Sequence, residues 1–354
     1  MKKIILTGGG TAGHVTPNIA LLPALRDVGY EISYIGSYEG IERSLIAEQG
    51  IPYYPISSGK LRRYFDWKNF TDPFRVVRGF GQAKRLIRML KPDVVFSKGG
   101  FVSVPVVLAA KSKGVPVIIH ESDMTPGLAN KIAMRGATKI CCNFPETLKL
   151  LPEDKAVLTG SPIRAELLRG DASAARDFLG FTADKPVLLV MGGSIGSVFI
   201  NNAVRSALSD LRKDFQIIHL CGKGNLDPSF DHTDGYRQFE FISDELPDLF
   251  ALADLVVSRA GANAICELLA LRKPNILIPL SLNASRGDQI ANARSFTRQG
   301  FSYLMEEETV TADSLIAAIH DVYGKRDTYI AAMDKSPMAD SIQIIVSLLG
   351  EVGG

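Results

Sequence analysis

SRAGANAICELLALRKPNILIPLSLNASRGDQIANA, residues 258–293, is the stretch from which the fold is read. Leu255-Val256-Val257 form the end of a buried strand, and Ser258-Arg259-Ala260-Gly261-Ala262 form a small-residue turn. A helix follows, with Glu267 in its early turns. The pattern predicts a second strand over 275–279, then a polar loop, then a helix opened by Asp288 and Gln289. Strand, loop and helix repeated in this way describe an open α/β sheet, where ligands bind beyond the carboxyl ends of the strands. A carboxylate there suits the paired hydroxyls of a ribose. A carboxamide beside a second carboxylate suits the hydroxyls of a hexose. On this segment alone, an ordinary αβ connection with incidental polar residues fits equally well.

Working outward, strands and helices alternate along the whole chain, which argues for parallel sheets covered on both faces. The opening also occurs twice. Residues 3–7 form a strand running into Gly8-Gly9-Gly10-Thr11-Ala12-Gly13-His14, followed by a helix with Pro17 near its start. Residues 186–191 form a strand running into Gly192-Gly193-Ser194-Ile195-Gly196-Ser197, followed by a helix to about Leu211. The fold class is therefore α/β, with two Rossmann-like parallel-sheet domains expected to face each other. The 354 residues suffice for two domains of ordinary size. The boundary falls near Gly160-Ser161-Pro162-Ile163-Arg164, giving domains over 1–163 and 164–336. The remaining segment, 337–354, holds an amphipathic helix over 338–349.

Composition narrows the class. Hydrophobic residues make up 46% and charged residues 22%, as in a globular protein. No run approaches the roughly 20 apolar residues that span a bilayer. The N-terminus, MKKIILTGGG, reads as a first strand and not a signal peptide. Cys141, Cys142, Cys221 and Cys266 form no C-x-x-C pair, so neither a disulfide framework nor a zinc site is indicated, and the reducing cytoplasm is the expected compartment. The net charge of +2 hides an asymmetry: residues 1–164 hold 23 Lys+Arg against 13 Asp+Glu. A basic first half invites an anionic partner.

The first loop satisfies G-x-G-x-x-G at Gly8, Gly10 and Gly13. Two details weigh against a dinucleotide. His14 follows the last glycine directly, and the second strand, over 31–35, runs into Gly36-Ser37 instead of an acid suited to a ribose; Glu39 and Glu42 come too late. The absence of G-K-[ST] excludes a Walker A site. An unperturbed imidazole titrates near neutral pH, so His14 suits the role of proton acceptor for an attacking hydroxyl. A helix-start histidine that only bonds the loop is the alternative. The second loop suits a diphosphate cradle, with N–H groups from Gly192, Gly193, Ser194 and Gly196 and the Ser194 hydroxyl as a further donor; a tight βα turn chosen for packing is the alternative.

Taken together, GGGTAGH from Gly8, SKGGFVSVP from Ser97, HESDMTPGLANK from His120, GSPIR from Gly160, GGSIGS from Gly192, SRAGANAICE from Ser258 and DQIANA from Asp288 resemble the MurG-type glycosyltransferases, GT-B family 28. The resemblance covers nearly the whole chain and implies a GT-B fold with a cleft between its domains and the last helix returning to the first. It implies inverting transfer of GlcNAc from UDP-GlcNAc to the muramoyl C4 hydroxyl of lipid I, giving lipid II, without cofactor or metal. On it, Thr11, Gly13, Arg164, Gly193, Ser194, Ile242, Glu267, Asp288 and Gln289 would serve the donor. Thr11, His14, Gly99, Gly100 and Asn130 would lie on the acceptor side. His14 is the first candidate base and Asp123 the reserve. The implied partners are UDP-GlcNAc, lipid I, the cytoplasmic membrane surface and cell-wall synthesis proteins.

Two departures bear on this reading. Ile195 and Ser197 stand where the family has glutamine and alanine, and Ser122-Asp123 stand where it has two amides. Rival readings are a relative acting on another lipid acceptor, a nonhydrolysing UDP-GlcNAc epimerase, a dinucleotide-dependent oxidoreductase and a sensor that binds without catalysis. Residues 60–91 carry ten basic residues against Asp66 and Asp72, with aromatics interleaved. Arg62, Arg63, Phe65, Trp67, Phe70, Arg75 and Arg78 form a candidate membrane patch at the cytoplasmic face. A core-facing helix with a basic outer face is the alternative. Nucleic acid is not expected, since no nucleic-acid motif appears.

Overall fold

The computed structural model describes residues 2–59, 68–193, 196–285 and 287–354. Arg62, Arg63, Phe65, Trp67, Ser194 and Ile195 lie outside the described residues, and the side chain of Phe70 is not described. Two compact units appear, one of residues 1–164 with 340–354 and one of residues 165–339.

The first unit is built on a seven-stranded sheet: β1 (Lys3–Thr7), β2 (Glu31–Ser37), β3 (Tyr53–Ile56), β4 (Val94–Ser97), β5 (Val117–Glu121), β6 (Lys139–Cys142) and β7 (Ala156–Leu158). The order is β3-β2-β1-β4-β5-β6-β7, and all pairings are parallel. β4 and β5, VVFS and VIIHE, are buried along their whole length, as strands covered on both faces must be. Alternation assigns the faces. Ile5, Val95 and Ile119 pack with Ile87, Val106 and Val107. Ile4, Leu6 and Phe96 pack on the opposite face with Leu21, Leu25, Ile345 and Leu349.

Those last two residues belong to the helix Ser341–Val352, which packs on the helix Thr16–Asp27 and on β4. Its start is a correction to the reading of a helix from 338. Pro337–Asp340 form a 3-10 turn first, and Ser341 donates its hydroxyl to the Ser161 carbonyl at 2.7 Å.

The second unit repeats the plan with β8 (Val187–Met191), β9 (Gln216–Leu220), β10 (Tyr236–Phe239), β11 (Leu255–Ser258), β12 (Asn275–Leu277) and β13 (Tyr303–Leu304). Their order is β10-β9-β8-β11-β12-β13, again parallel throughout. One face carries Leu188, Val190, Ile217, Val257 and Ile276 against Ile200, Val204, Leu208 and Leu211 of the helix Val198–Asp214. In each sheet the strand order reverses direction at one pair, β1 with β4 and β8 with β11. Both glycine loops follow a strand of such a pair, where α/β sheets bind ligands. Among the described residues, no helix is long and apolar enough to cross a membrane.

Candidate functional site

In the first unit, the loops after β1, β4 and β5 meet. A Cβ on Gly100, where φ is +83°, would lie 2.2 Å from the Gly9 carbonyl oxygen, and one on Gly99 would lie 3.2 Å from Asn130 Oδ1. Only glycine lets these backbones approach so closely. Thr11 is exposed, while Gly13 and His14 are half-buried in the short 3-10 turn Ala12–His14. Asn18 fixes the turn from within, donating to the Thr7 carbonyl at 3.2 Å and the His14 carbonyl at 3.4 Å. The Tyr34 hydroxyl donates to the Gly8 carbonyl at 2.8 Å.

His14 Nδ1 lies 3.1 Å from the Lys98 carbonyl oxygen. A carbonyl only accepts, so Nδ1 carries the proton and Nε2 keeps its lone pair. Burial, followed by the nearby Lys98 charge, holds the imidazole below its ordinary pKa, while the bond to the Lys98 carbonyl and the Glu42 charge oppose this. A neutral imidazole with a free Nε2 lone pair can accept a proton near neutral pH.

Lys98 is fully buried. Its ammonium donates to His120 Nδ1 at 2.7 Å and to Ser122 Oγ at 2.7 Å. The other face of His120 donates through Nε2 to the Gly160 carbonyl at 2.8 Å. Burial and the Lys98 charge hold this imidazole well below its ordinary range. The hydroxyl at position 122 is thus matched to a lysine. Glu121 accepts from the Asp123 N–H, the Gly127 N–H and Asn130 Nδ2 at 3.0, 3.1 and 2.9 Å, shaping the loop that carries Asp123 and Asn130. Asp123 itself is half-buried. Among the described residues, Asn130 Oδ1 is buried without a hydrogen-bond partner, as is Nε of Arg164, the last residue of the first unit's long segment.

The second unit carries Gly193, Ile242, Glu267, Asp288 and Gln289. Gly193 has φ +90° in the loop after β8. That loop corrects one expectation: the Gly196 N–H donates to the Gly193 carbonyl at 3.0 Å and so closes a turn instead of facing a ligand. Ile242 is buried just beyond β10, and Glu267 is half-buried on the helix Ala262–Ala270. Asp288 is exposed at the first turn of the helix Asp288–Arg298. Gln289 Oε1 accepts the Leu280 N–H at 3.1 Å.

Arg259 is the residue the turn reading passed over. Its buried guanidinium donates to the carbonyls of Ile278 and Pro279 at 3.0 and 3.2 Å, to Ser197 Oγ at 2.7 Å and to Glu307 Oε1 at 3.0 Å. Glu307 Oε2 accepts the Ser281 N–H at 3.0 Å. Ser197 caps the helix Val198–Asp214 by accepting the Ile200 N–H. One ion pair therefore holds the loops after β8, β11 and β12. The only signal in the sequence was an arginine inside a small-residue turn. Arg75 and Arg78 are exposed on the helix Lys68–Leu90.

The N-terminal domain of glycosyltransferase family 28 matches residues 4–142, and the C-terminal domain of that family matches residues 187–345. A protein of Lachnospira eligens is 67% identical over 349 residues, covering 99% of each chain. One of Geobacillus kaustophilus is 60% identical, covering 98% of each. Both bear the name UDP-N-acetylglucosamine–N-acetylmuramyl-(pentapeptide) pyrophosphoryl-undecaprenol N-acetylglucosamine transferase. The crystal structure of Acinetobacter baumannii MurG superposes with a TM-score of 0.80 at 27% identity, covering 99% of this chain and 100% of that one.

Proposed function

This chain belongs to glycosyltransferase family 28, and on that premise we propose that it transfers GlcNAc from UDP-GlcNAc to the muramoyl C4 hydroxyl of lipid I, giving lipid II and UDP. The observation that carries the proposal is the 67% identity over 99% of both chains to a transferase of that name. Identity at that level leaves the rival readings without support of their own.

In this reading, the first unit serves the acceptor and the second the donor. His14 Nε2 takes the proton of the attacking hydroxyl while its Nδ1–H stays on the Lys98 carbonyl. Asn130 Oδ1, which has no hydrogen-bond partner among the described residues, accepts from an acceptor hydroxyl. Glu267 holds the ribose, Gln289 the sugar, and Arg164 with the Gly193–Ser194 loop offsets charge on the departing diphosphate. Asp123 remains the reserve base. The protein works as a peripheral protein at the cytoplasmic face of the membrane, with exposed Arg75 and Arg78 among the groups on anionic lipid.

The test is UDP release from UDP-GlcNAc with and without a short-chain lipid I analogue. Lipid-dependent release with a disaccharide product is expected. Release without any acceptor, or only with a different lipid, refutes the assignment.

A further inference from the structure

The carboxylate of Glu42 lies inside the first glycine loop. Glu42 is fully buried at the start of the helix Glu42–Ala47. Its Oε2 accepts the Gly10 N–H at 3.1 Å, and its Oε1 accepts the Ser37 N–H at 3.0 Å and the Ser37 hydroxyl at 2.5 Å. The space around it is kept clear by glycine. A Cβ on Gly9 would lie 2.5 Å from the carboxylate, one on Gly40 2.1 Å from Oε2, and one on Gly36 2.9 Å from Cγ. A Cβ on Gly9 or Gly40 would push the Glu42 carboxylate aside, and one on Gly36 would first meet the Tyr53 hydroxyl, at 2.3 Å, so these glycines leave the space that this side chain occupies.

In many G-x-G-x-x-G loops, backbone N–H groups of this kind meet the phosphate of a ligand. Here a carboxylate of the chain itself is already on Gly10. The same loop carries the turn to His14: the His14 N–H donates to the Thr11 carbonyl at 3.1 Å, one residue beyond Gly10. Asn18 and Tyr34 hold the near end of the loop, through Thr7, Gly8 and the His14 carbonyl. Glu42 holds its outer end.

We propose that Glu42 is a positioning residue, whose carboxylate ties the Gly10 N–H of the Gly8–Gly13 loop to Ser37 and so keeps His14 in place for proton transfer. The proposal rests on the reading of His14 as the base. The Gly10 N–H, which in a dinucleotide loop could meet a phosphate, is here already on Glu42.

The experiment removes the anion and returns it. Glu42→Ala opens a cavity of carboxylate size. Its kcat is expected to fall about 10- to 100-fold, the factor for losing a hydrogen bond to a charged group, with the KM for UDP-GlcNAc nearly unchanged. Formate should restore part of kcat and raise the Tm of E42A, with neither effect on the native protein. Glu42→Gln keeps the volume but turns an N–H2 toward one of the two amides, and its kcat should fall while its Tm stays near native. Native-like kcat in E42Q overturns the proposal, as does an E42A protein whose kcat and Tm ignore formate. If E42A does not fold, the separation of kcat from KM in E42Q decides. If the native protein releases no UDP with lipid I, the proposed function fails, and the formate-dependent Tm of E42A still reports on the Glu42 contacts.

Discussion

Replacing Arg259 with methionine tests how the second unit's loops are held. The guanidinium makes four hydrogen bonds, two to backbone carbonyls, one to Ser197 Oγ and one to Glu307. The partners are little exposed, with side-chain accessibilities of 8% for Arg259 and 14% for Glu307, so solvent cannot replace the lost cation. Among the described residues, Arg259→Met leaves the Glu307 carboxylate with the Ser281 N–H as its remaining hydrogen bond. Breaking a buried pair from one side costs about 3–5 kcal/mol, a large share of the 5–15 kcal/mol typical of a folded domain. Glu307→Gln alone should cost less, about 1–2 kcal/mol, because Arg259 keeps three acceptors. The double variant should cost less than the sum of the two, with a coupling of about 2 kcal/mol or more. Urea unfolding followed by circular dichroism measures all three. Hydrogen exchange at Ser281 and at Ile200 should rise in Arg259→Met before the strands lose protection. A cost below about 1 kcal/mol, or strictly additive variants, would refute the view that this pair fastens the three loops.

Four further outcomes are expected. Glu267→Ala should raise the KM for UDP-GlcNAc about 10-fold or more with a smaller change in kcat, as the proposed contact to the ribose requires; steady-state kinetics at varied donor would show it. His14→Ala should lower kcat about 10²- to 10⁴-fold, and in the native protein the acid limb of the pH profile should lie below about 6.5, because burial and Lys98 lower the imidazole. Gly100→Ala should destabilise the first unit by more than the roughly 1–2 kcal/mol of a left-handed residue, since its Cβ would also meet the Gly9 carbonyl; the Tm reads this. His219, pushed down to about 3 by burial and then by Arg205, stays neutral when folded and protonates near pH 6.5 when unfolded. The unfolded state therefore binds more protons between those limits, and stability should fall by about 1.4 kcal/mol per pH unit as the pH drops through that window, less steeply in His219→Gln.

Much of the molecule was legible because it depends on neighbours in the chain. Buried strands such as VVFS and LVVS announce themselves by unbroken apolar runs, and each glycine loop lies between its strand and its helix. The repeated opening was therefore visible, and so was the parallel class of both sheets. What the sequence concealed lies in pairs of distant residues. Glu42 read as an acid too far along to matter. The register of β1 on β2, with Thr7 beside Ile35, carries Ser37 and then Glu42 to the end of β1 and onto Gly10. Ser122 read as a loss of an amide until Lys98, 24 residues earlier, was found bonded to it. Arg259 has partners at Ser197, Ile278, Pro279 and Glu307, all 19 to 62 residues away along the chain, so no local pattern could mark it.

By itself, then, the sequence determined the alternation of strands and helices, the two glycine loops and the motifs that place the chain in its family. Periodicity and turn chemistry act over a few residues and need no partner elsewhere. Tertiary structure alone decided which buried charges meet. It set Glu42 into the first loop, Lys98 under His120 and Ser122, and the Ser341 hydroxyl on Ser161 across 180 residues. The reason is physical: a buried polar group must find a partner wherever packing brings one within hydrogen-bond reach, and sequence separation does not enter that requirement.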